Sequence, residues 1–187
     1  MRVGGQLDIE DLYEYYHKDV YQFCLYFTNS VQDAEDLTQD TFMKAMKNLK
    51  TLKNHDRAKY WLLAIARHSA IDHIRKRKLK SLLPELIERL KMSSSMENSL
   101  DEHVLKMEKW EEVQQALLKI KPDYRTVLIL RGLQELTIKE TSEVLQQTEL
   151  KVRVDFHRAV KELKKHMGVT ERMVLANGQE RRADSRS

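Results

Sequence analysis

Lys53, Asn54, His55, Arg57 and Lys59 run directly into Tyr60 and Trp61, and Arg75-Lys76-Arg77-Lys78 closes the same stretch, with Arg67 between. Cations interleaved with aromatic rings suit unpaired nucleic acid, because rings stack on bases while ammonium and guanidinium groups track phosphates. Trp61 opens an apolar run and is expected in a core, whereas the pattern leaves Tyr60 open between packing and stacking. The run Arg75 to Lys78 reads equally well, taken alone, as a solubilising helix end. A second cationic set, Lys151, Arg153, His157, Arg158 and Lys161, shares a stretch with Val154 and Asp155. Its polarity and length suit a helix entering a major groove, or else a plain amphipathic helix whose bases complement its own dipole. A third set, Asp33, Glu35, Asp36 and Asp40 with Gln39 beside them, is acidic. It lacks the glycine and alternating ligands of a calcium loop, so it reads as one solvated helix face. The seven histidines make no H-E-x-x-H, no nucleophile stands at a defensible spacing from a base, and neither catalytic residues nor a metal or cofactor are assigned.

The elements that must position these sets are helical. Ile9, Leu12, Tyr13, Tyr16, Val20, Phe23, Cys24 and Phe27 recur at helical spacing behind Asp8, which predicts a helix over 8–28. Ser30 is placed to cap a second helix over 31–49, with Ala34, Leu37, Phe42, Ala45 and Leu49 on one stripe and the acids on another. A polar loop over 50–55 precedes a third helix from about 56, whose stretch 60–66 is apolar nearly all round and must lie between the first two. Leu82 to Leu90 allow a short helix around Pro84, and the serines over 93–99 then read as flexible linker. Val104, Met107, Trp110, Val113, Leu117 and Leu118 form the next stripe, and Pro122 opens a helix expected to stop at Gly132. Thr137-Ile-Lys-Glu140 is a capping box, the turn 146–148 follows, and a last helix spans 149–167 with Val152, Phe156, Ala159 and Leu163 inward. Two helices joined by so short a turn make a helix-turn-helix.

The chain has 187 residues with five Gly and two Pro, too little turn material for many strands and no phosphate-binding glycine loop. The fold class is therefore all-α, with two small helical domains: 1–80, a linker over 81–100, a second domain over 101–167, and a disordered tail over 168–187. The single Cys24 excludes an internal disulfide and fits a reducing, cytoplasmic setting. Neither a signal peptide nor a bilayer-spanning run is read. The formal net charge of +4 conceals segregation: residues 8–40 hold nine acids and one base, and residues 41–80 hold twelve bases and two acids. A basic block argues for a polyanion and an acidic block for a basic protein partner.

Asp33-Ala-Glu-Asp-Leu-Thr-Gln-Asp-Thr-Phe42 and Trp61 to Lys78 resemble region 2 of a bacterial extracytoplasmic-function RNA polymerase sigma factor. Pro122-Asp-Tyr-Arg-Thr-Val-Leu128 and the helix-turn-helix ending in His157-Arg158-Ala159 resemble region 4, in the same order on the chain. The resemblance covers about residues 8–167. It implies that Asp33, Glu35, Asp36, Gln39 and Asp40 dock on the clamp helices of core RNA polymerase, with the polymerase flap a further contact. It also implies that Lys53, Arg57, Tyr60, Arg67, His68, Arg75, Lys76, Arg77 and Lys78 open and hold the minus-ten element. Lys151, Arg153, Val154, Asp155, His157 and Arg158 would read minus-thirty-five, and an anti-sigma factor is a further expected partner. Three positions depart from the family: His68 replaces a usual Asn, Thr148-Glu-Leu-Lys151 replaces Pro-x-Gly-Thr, and Asp155 replaces a common Arg and could accept from cytosine N4. The competing reading is a helix-turn-helix repressor or activator that is no polymerase subunit, and it leaves the acidic second helix and the 53–78 block without a use.

Overall fold

A computed structural model describes residues 8–81 and 104–168. Helix α1 (Ile9–Thr28) starts at Asp8, whose carboxylate accepts from the N–H groups of Glu10 and Asp11 while Asp11 answers the Asp8 N–H. It ends at Asn29, which turns left-handed at φ 53° and bonds back to Leu25. Ser30 caps α2 (Val31–Asn48) through Asp33 N–H. Two single 3₁₀ turns, Leu49–Thr51 and His55–Arg57, occupy the polar connection and lead into α3 (Ala58–Ser81). As its all-round apolarity requires, α3 lies against both α1 and α2 and buries Leu62, Leu63, Ala66, Ala70 and Ile71. Trp61 packs on this core only partly buried. The helix expected around Pro84 and the tail from 169 lie outside the described residues.

The second bundle comprises α4 (Val104–Lys119), α5 (Pro122–Leu128), α6 (Ile138–Leu145) and α7 (Glu149–His166). Pro122 takes the first helical position of α5, where its missing N–H costs nothing. The stop expected at Gly132 falls later. Helical backbone continues as a π turn over Ile129–Leu133, and the chain reverses at Glu135, left-handed at φ 55°, which returns Leu136 to the core. Thr137 and Glu140 form the capping box at α6, and left-handed Gln146 closes that helix and opens the short turn to α7. All-α architecture holds throughout the described residues.

The two bundles share one apolar interior. Val127, Ile129, Leu130, Leu136, Val144, Leu145 and Val152 of the second belong to the same buried cluster as Phe23, Phe27 and Leu62 of the first. Leu117, Ile120, Leu128 and Ala159 form a smaller cluster of the second bundle alone. Arg125 crosses the boundary: nearly wholly buried, it donates to the carbonyls of Phe27 (2.8 Å), Leu118 (2.7 Å) and Ile120 (3.2 Å) and lies 5.0 Å over the Phe27 ring. Gln134 donates to the Asp19 carbonyl at 2.7 Å, and Trp110 meets Tyr26 edge-on at 5.5 Å.

Candidate nucleic-acid interface

The mixed aromatic and basic set divides between two environments. Lys53 is exposed in the connection before α3, and Arg75, Lys76, Arg77 and Lys78 are exposed along the last turns of that helix. Arg75 lies 3.7 Å from Asp72, and Arg77 reaches back to Asp33 at 3.6 Å. His68 is also exposed, its Nδ1 2.7 Å from the Ala64 carbonyl, so the ring is held to its own helix. The other members face the second bundle. Tyr60 is partly buried and its hydroxyl donates to Glu140 Oε1 at 2.5 Å, while Arg57, 5.7 Å over the Tyr60 ring, pairs with Glu143 at 3.0 Å. Arg67 pairs with Asp123 at 3.0 Å.

The choice left open for Tyr60 is thus decided by a partner 80 residues away, and the ring is neither core nor bare platform. Each member of this contact alters the other. The carboxylate beside it pushes the Tyr60 hydroxyl up to about 12, with burial adding to the effect. Donation from Tyr60, then the Thr137 N–H and hydroxyl, hold the Glu140 carboxyl down at about 2. Glu140 therefore serves twice, capping α6 through Oε2 and receiving Tyr60 through Oε1.

The acidic face of α2 is assembled as the spacing requires. Glu35, Asp36 and Gln39 are exposed, Asp33 faces His73 at 3.4 Å and Arg77, and Asp40 pairs with Lys44 at 2.7 Å. Burial acts to raise the Asp40 carboxyl, but hydrogen bonds with Lys44 and Ser69 outweigh it and the net displacement is downward. Asp33 and Asp40 are thus shared with cations of the chain itself, while Glu35 and Asp36 make no ion pair among the described residues.

In the helix-turn-helix, α7 buries Val152 and Ala159 and exposes Lys151, Arg153, Val154, His157 and Arg158. Asp155 corrects the sequence reading. Placed there on the exposed face as an acceptor for cytosine, it is only 7% exposed and is bonded to Lys151 Nζ at 2.6 Å, one turn earlier. Helical periodicity puts position 155 between Val152 and Ala159, so the carboxylate turns inward and takes the nearest ammonium. Lys151 is correspondingly engaged, and Arg153 has only a loose contact with Glu149 at 3.7 Å. Leu150, in the first turn of α7, is an apolar side chain left 72% exposed beside the cations of that face.

Two family models match, Sigma-70 region 2 over residues 12–80 and Sigma-70 region 4 over residues 110–163. RNA polymerase sigma factor YlaC of Bacillus subtilis is 35% identical over 159 residues, 85% of this chain and 91% of that relative. The chain belongs to the extracytoplasmic-function RNA polymerase sigma factors. A second relative in the same organism, ECF RNA polymerase sigma factor SigX, is 35% identical over 158 residues, 83% of this chain and 81% of its own length. The sigma factor RpoE of Bartonella quintana, solved in complex with the anti-sigma factor NepR, shares the fold at a TM-score of 0.61 and 21% identity, over 83% of this chain and 93% of that one. In this sigma factor the basic end of α3 and the exposed face of α7 therefore fall in regions 2 and 4 respectively. No helix among the described residues is long and apolar enough to cross a membrane.

Proposed function

We propose that this sigma factor binds core RNA polymerase through the Asp33, Glu35, Asp36, Gln39 and Asp40 face of α2 and brings it to promoters carrying two separated elements. Residues 1–80 act as the domain that opens and holds minus-ten, residues 101–167 act as the reader of minus-thirty-five, and 81–100 tether them in the cytoplasm. Lys53, Arg57, Tyr60, Arg67, His68 and Arg75 to Lys78 receive the unpaired strand, and Arg153, Val154, His157 and Arg158 enter the major groove. Lys151, held by Asp155, contacts backbone at most. An anti-sigma factor is the expected inhibitor, as one accompanies the Bartonella protein of similar fold.

The observation that carries this reading is the presence on one chain of two separate exposed basic surfaces, the end of α3 and the face of α7, beside an exposed acidic face on α2. A duplex-binding regulator needs only the second. Opening costs a few kcal/mol for each extruded base, and stacking on an aromatic ring restores roughly 1–3 kcal/mol, so a single-strand site is of the right size to hold a bubble. Permanganate footprinting with polymerase carrying the Lys76→Ala, Arg77→Ala, Lys78→Ala triple variant tests it. Opening should fail on duplex promoter at matched occupancy and recover partly on a preformed bubble. Equal defects on both templates would reduce this block to DNA recruitment.

A further inference from the structure

Leu150 and Val154 lie four apart on α7 and are 72% and 40% exposed, Leu150 being the most exposed large apolar side chain among the described residues. At about 100° of rotation per residue the two form one stripe, and it points away from the bundle, with buried Val152 and Ala159 on the opposite side of the helix. Arg153 and Arg158, both exposed, stand about 60–80° to either side of that stripe, and exposed His157 continues it. The outward face of this helix therefore has an apolar centre between two cationic flanks. Within Thr148-Glu-Leu-Lys151, where the chain departs from the family, Leu150 occupies the glycine position, so this side chain is the chain's own.

We propose that Leu150 and Val154 are specificity-determining residues that read thymine: they pack against its 5-methyl groups in the major groove of the upstream promoter element. This rests on the role proposed above for α7 and names the bases that it selects. Hydrocarbon side chains form no hydrogen bond with base edges, and the thymine methyl is the apolar group that a base pair presents in the major groove. Against a G·C pair the same side chains would cover guanine N7 and O6 and the cytosine amino group without replacing their water. The guanidinium groups on both flanks favour a polyanion over an apolar protein groove as the occupant of this face. Spacing fits as well. Four residues rise ~6 Å along a helix and a base pair rises ~3.4 Å along the duplex, so a helix lying along the groove sets the two side chains against thymines one or two steps apart.

The test uses holoenzyme carrying the full chain, first to select upstream elements from a promoter library randomised there. Thymine, on one strand or the other, should be enriched at positions no more than two steps apart. Each enriched thymine is then replaced by deoxyuridine, which removes only the methyl group, and affinity is read by competition between labelled promoter fragments. The parent should lose about threefold to fourfold for each methyl, the size expected from burying one such group. Leu150→Ala and Val154→Ala should each bind the thymine element more weakly and each lose the deoxyuridine penalty at one position while keeping it at the other. Arg153→Ala, which removes a cation from the flank, should keep the whole penalty. At an enriched position 5-methylcytosine should bind better than cytosine. Both apolar side chains are exposed, so truncating them leaves the core intact, and binding to core polymerase should equal the parent's. An enriched element without thymine, equal affinity of the parent for thymine and deoxyuridine elements, or an unchanged penalty in both variants overturns the proposal. Weakened binding of the variants to core polymerase with the penalty intact also overturns it, and would assign the stripe to a protein contact. A library from which no upstream sequence is enriched would overturn the proposed role of α7 and this inference together, whereas an enriched element indifferent to deoxyuridine overturns this inference alone.

Discussion

Replacing Arg125 with Met should loosen the joint between the two bundles, and the size of the effect follows from what the guanidinium touches. Phe27 is one residue from the end of α1 and Leu118 one from the end of α4, so both carbonyls belong to the set a helix leaves without partners. Helix α1 has no basic residue in its own last turn, and Arg125 supplies the missing cation from another bundle. Burial pushes its pKa down to about 10, still high enough to keep it charged at neutral pH. Methionine fills much of the volume but donates to nothing, leaving the buried Phe27 and Ile120 carbonyls without this donor at ~1 kcal/mol or more each, and the partly buried Leu118 carbonyl at less. Removing the desolvated charge returns part of this, so the net loss should be about 2–3 kcal/mol. For a chain of this length that corresponds to a fall in Tm of roughly 5–10 °C. Arg125→Lys, which keeps charge but cannot reach all three carbonyls from one nitrogen, should fall between parent and Met. Urea unfolding followed by far-ultraviolet circular dichroism measures both. A loss below ~1 kcal/mol for Arg125→Met with an unchanged m-value would refute the account, because the buried cation would then contribute nothing beyond its volume.

Asp36→Lys, on the exposed acidic face of α2, should weaken binding to core polymerase at least about tenfold at low salt and leave the melting curve unchanged; parent-like affinity would remove this face from the docking site. Arg153→Ala should cost on the order of 1–3 kcal/mol and relax base preference at one position of the upstream element, as read by selection from a randomised site, whereas a uniform loss across sequences would make Arg153 a phosphate contact. The Tyr60 to Glu140 contact should follow the carboxyl. Glu140 sits at about 2 in the folded chain against ~4.3 unfolded, so its contribution is complete above pH ~4.3 and is lost as pH falls toward 2. The stability difference between parent and Tyr60→Phe in urea should therefore be flat from pH 7 to 5 and shrink below; a difference that changes between pH 7 and 5 would mean another group controls the contact.

Helix positions, caps and the alternation of acidic and basic blocks were legible in the sequence because each depends on neighbours within about four residues. Asp8, Ser30 and the Thr137 to Glu140 box cap the helices that their spacing announced, and Pro122 opens one. The acidic face of α2 and the basic end of α3 likewise follow from which residues share a helical face. The end of the α5 segment was misplaced at Gly132, because glycine only permits a turn, and the burial of Leu136 places the reversal at Glu135 instead.

What no local pattern contained is how side chains from distant segments pair. Arg125 read as one member of a motif and is a strut holding two helix ends, a role visible only once Phe27 lies beside it. Asp155 read as a groove contact and is drawn inward to Lys151, since α7 packs with that edge against the bundle rather than toward solvent. Tyr60, Arg57 and Arg67 read as open cations and a ring, yet each meets an acid 56 to 86 positions further along. Helical periodicity is written in residues three and four apart, and a sequence carries it plainly. The pairing of two surfaces depends on which apolar faces find each other in the shared core, and that is settled only when the whole chain has folded.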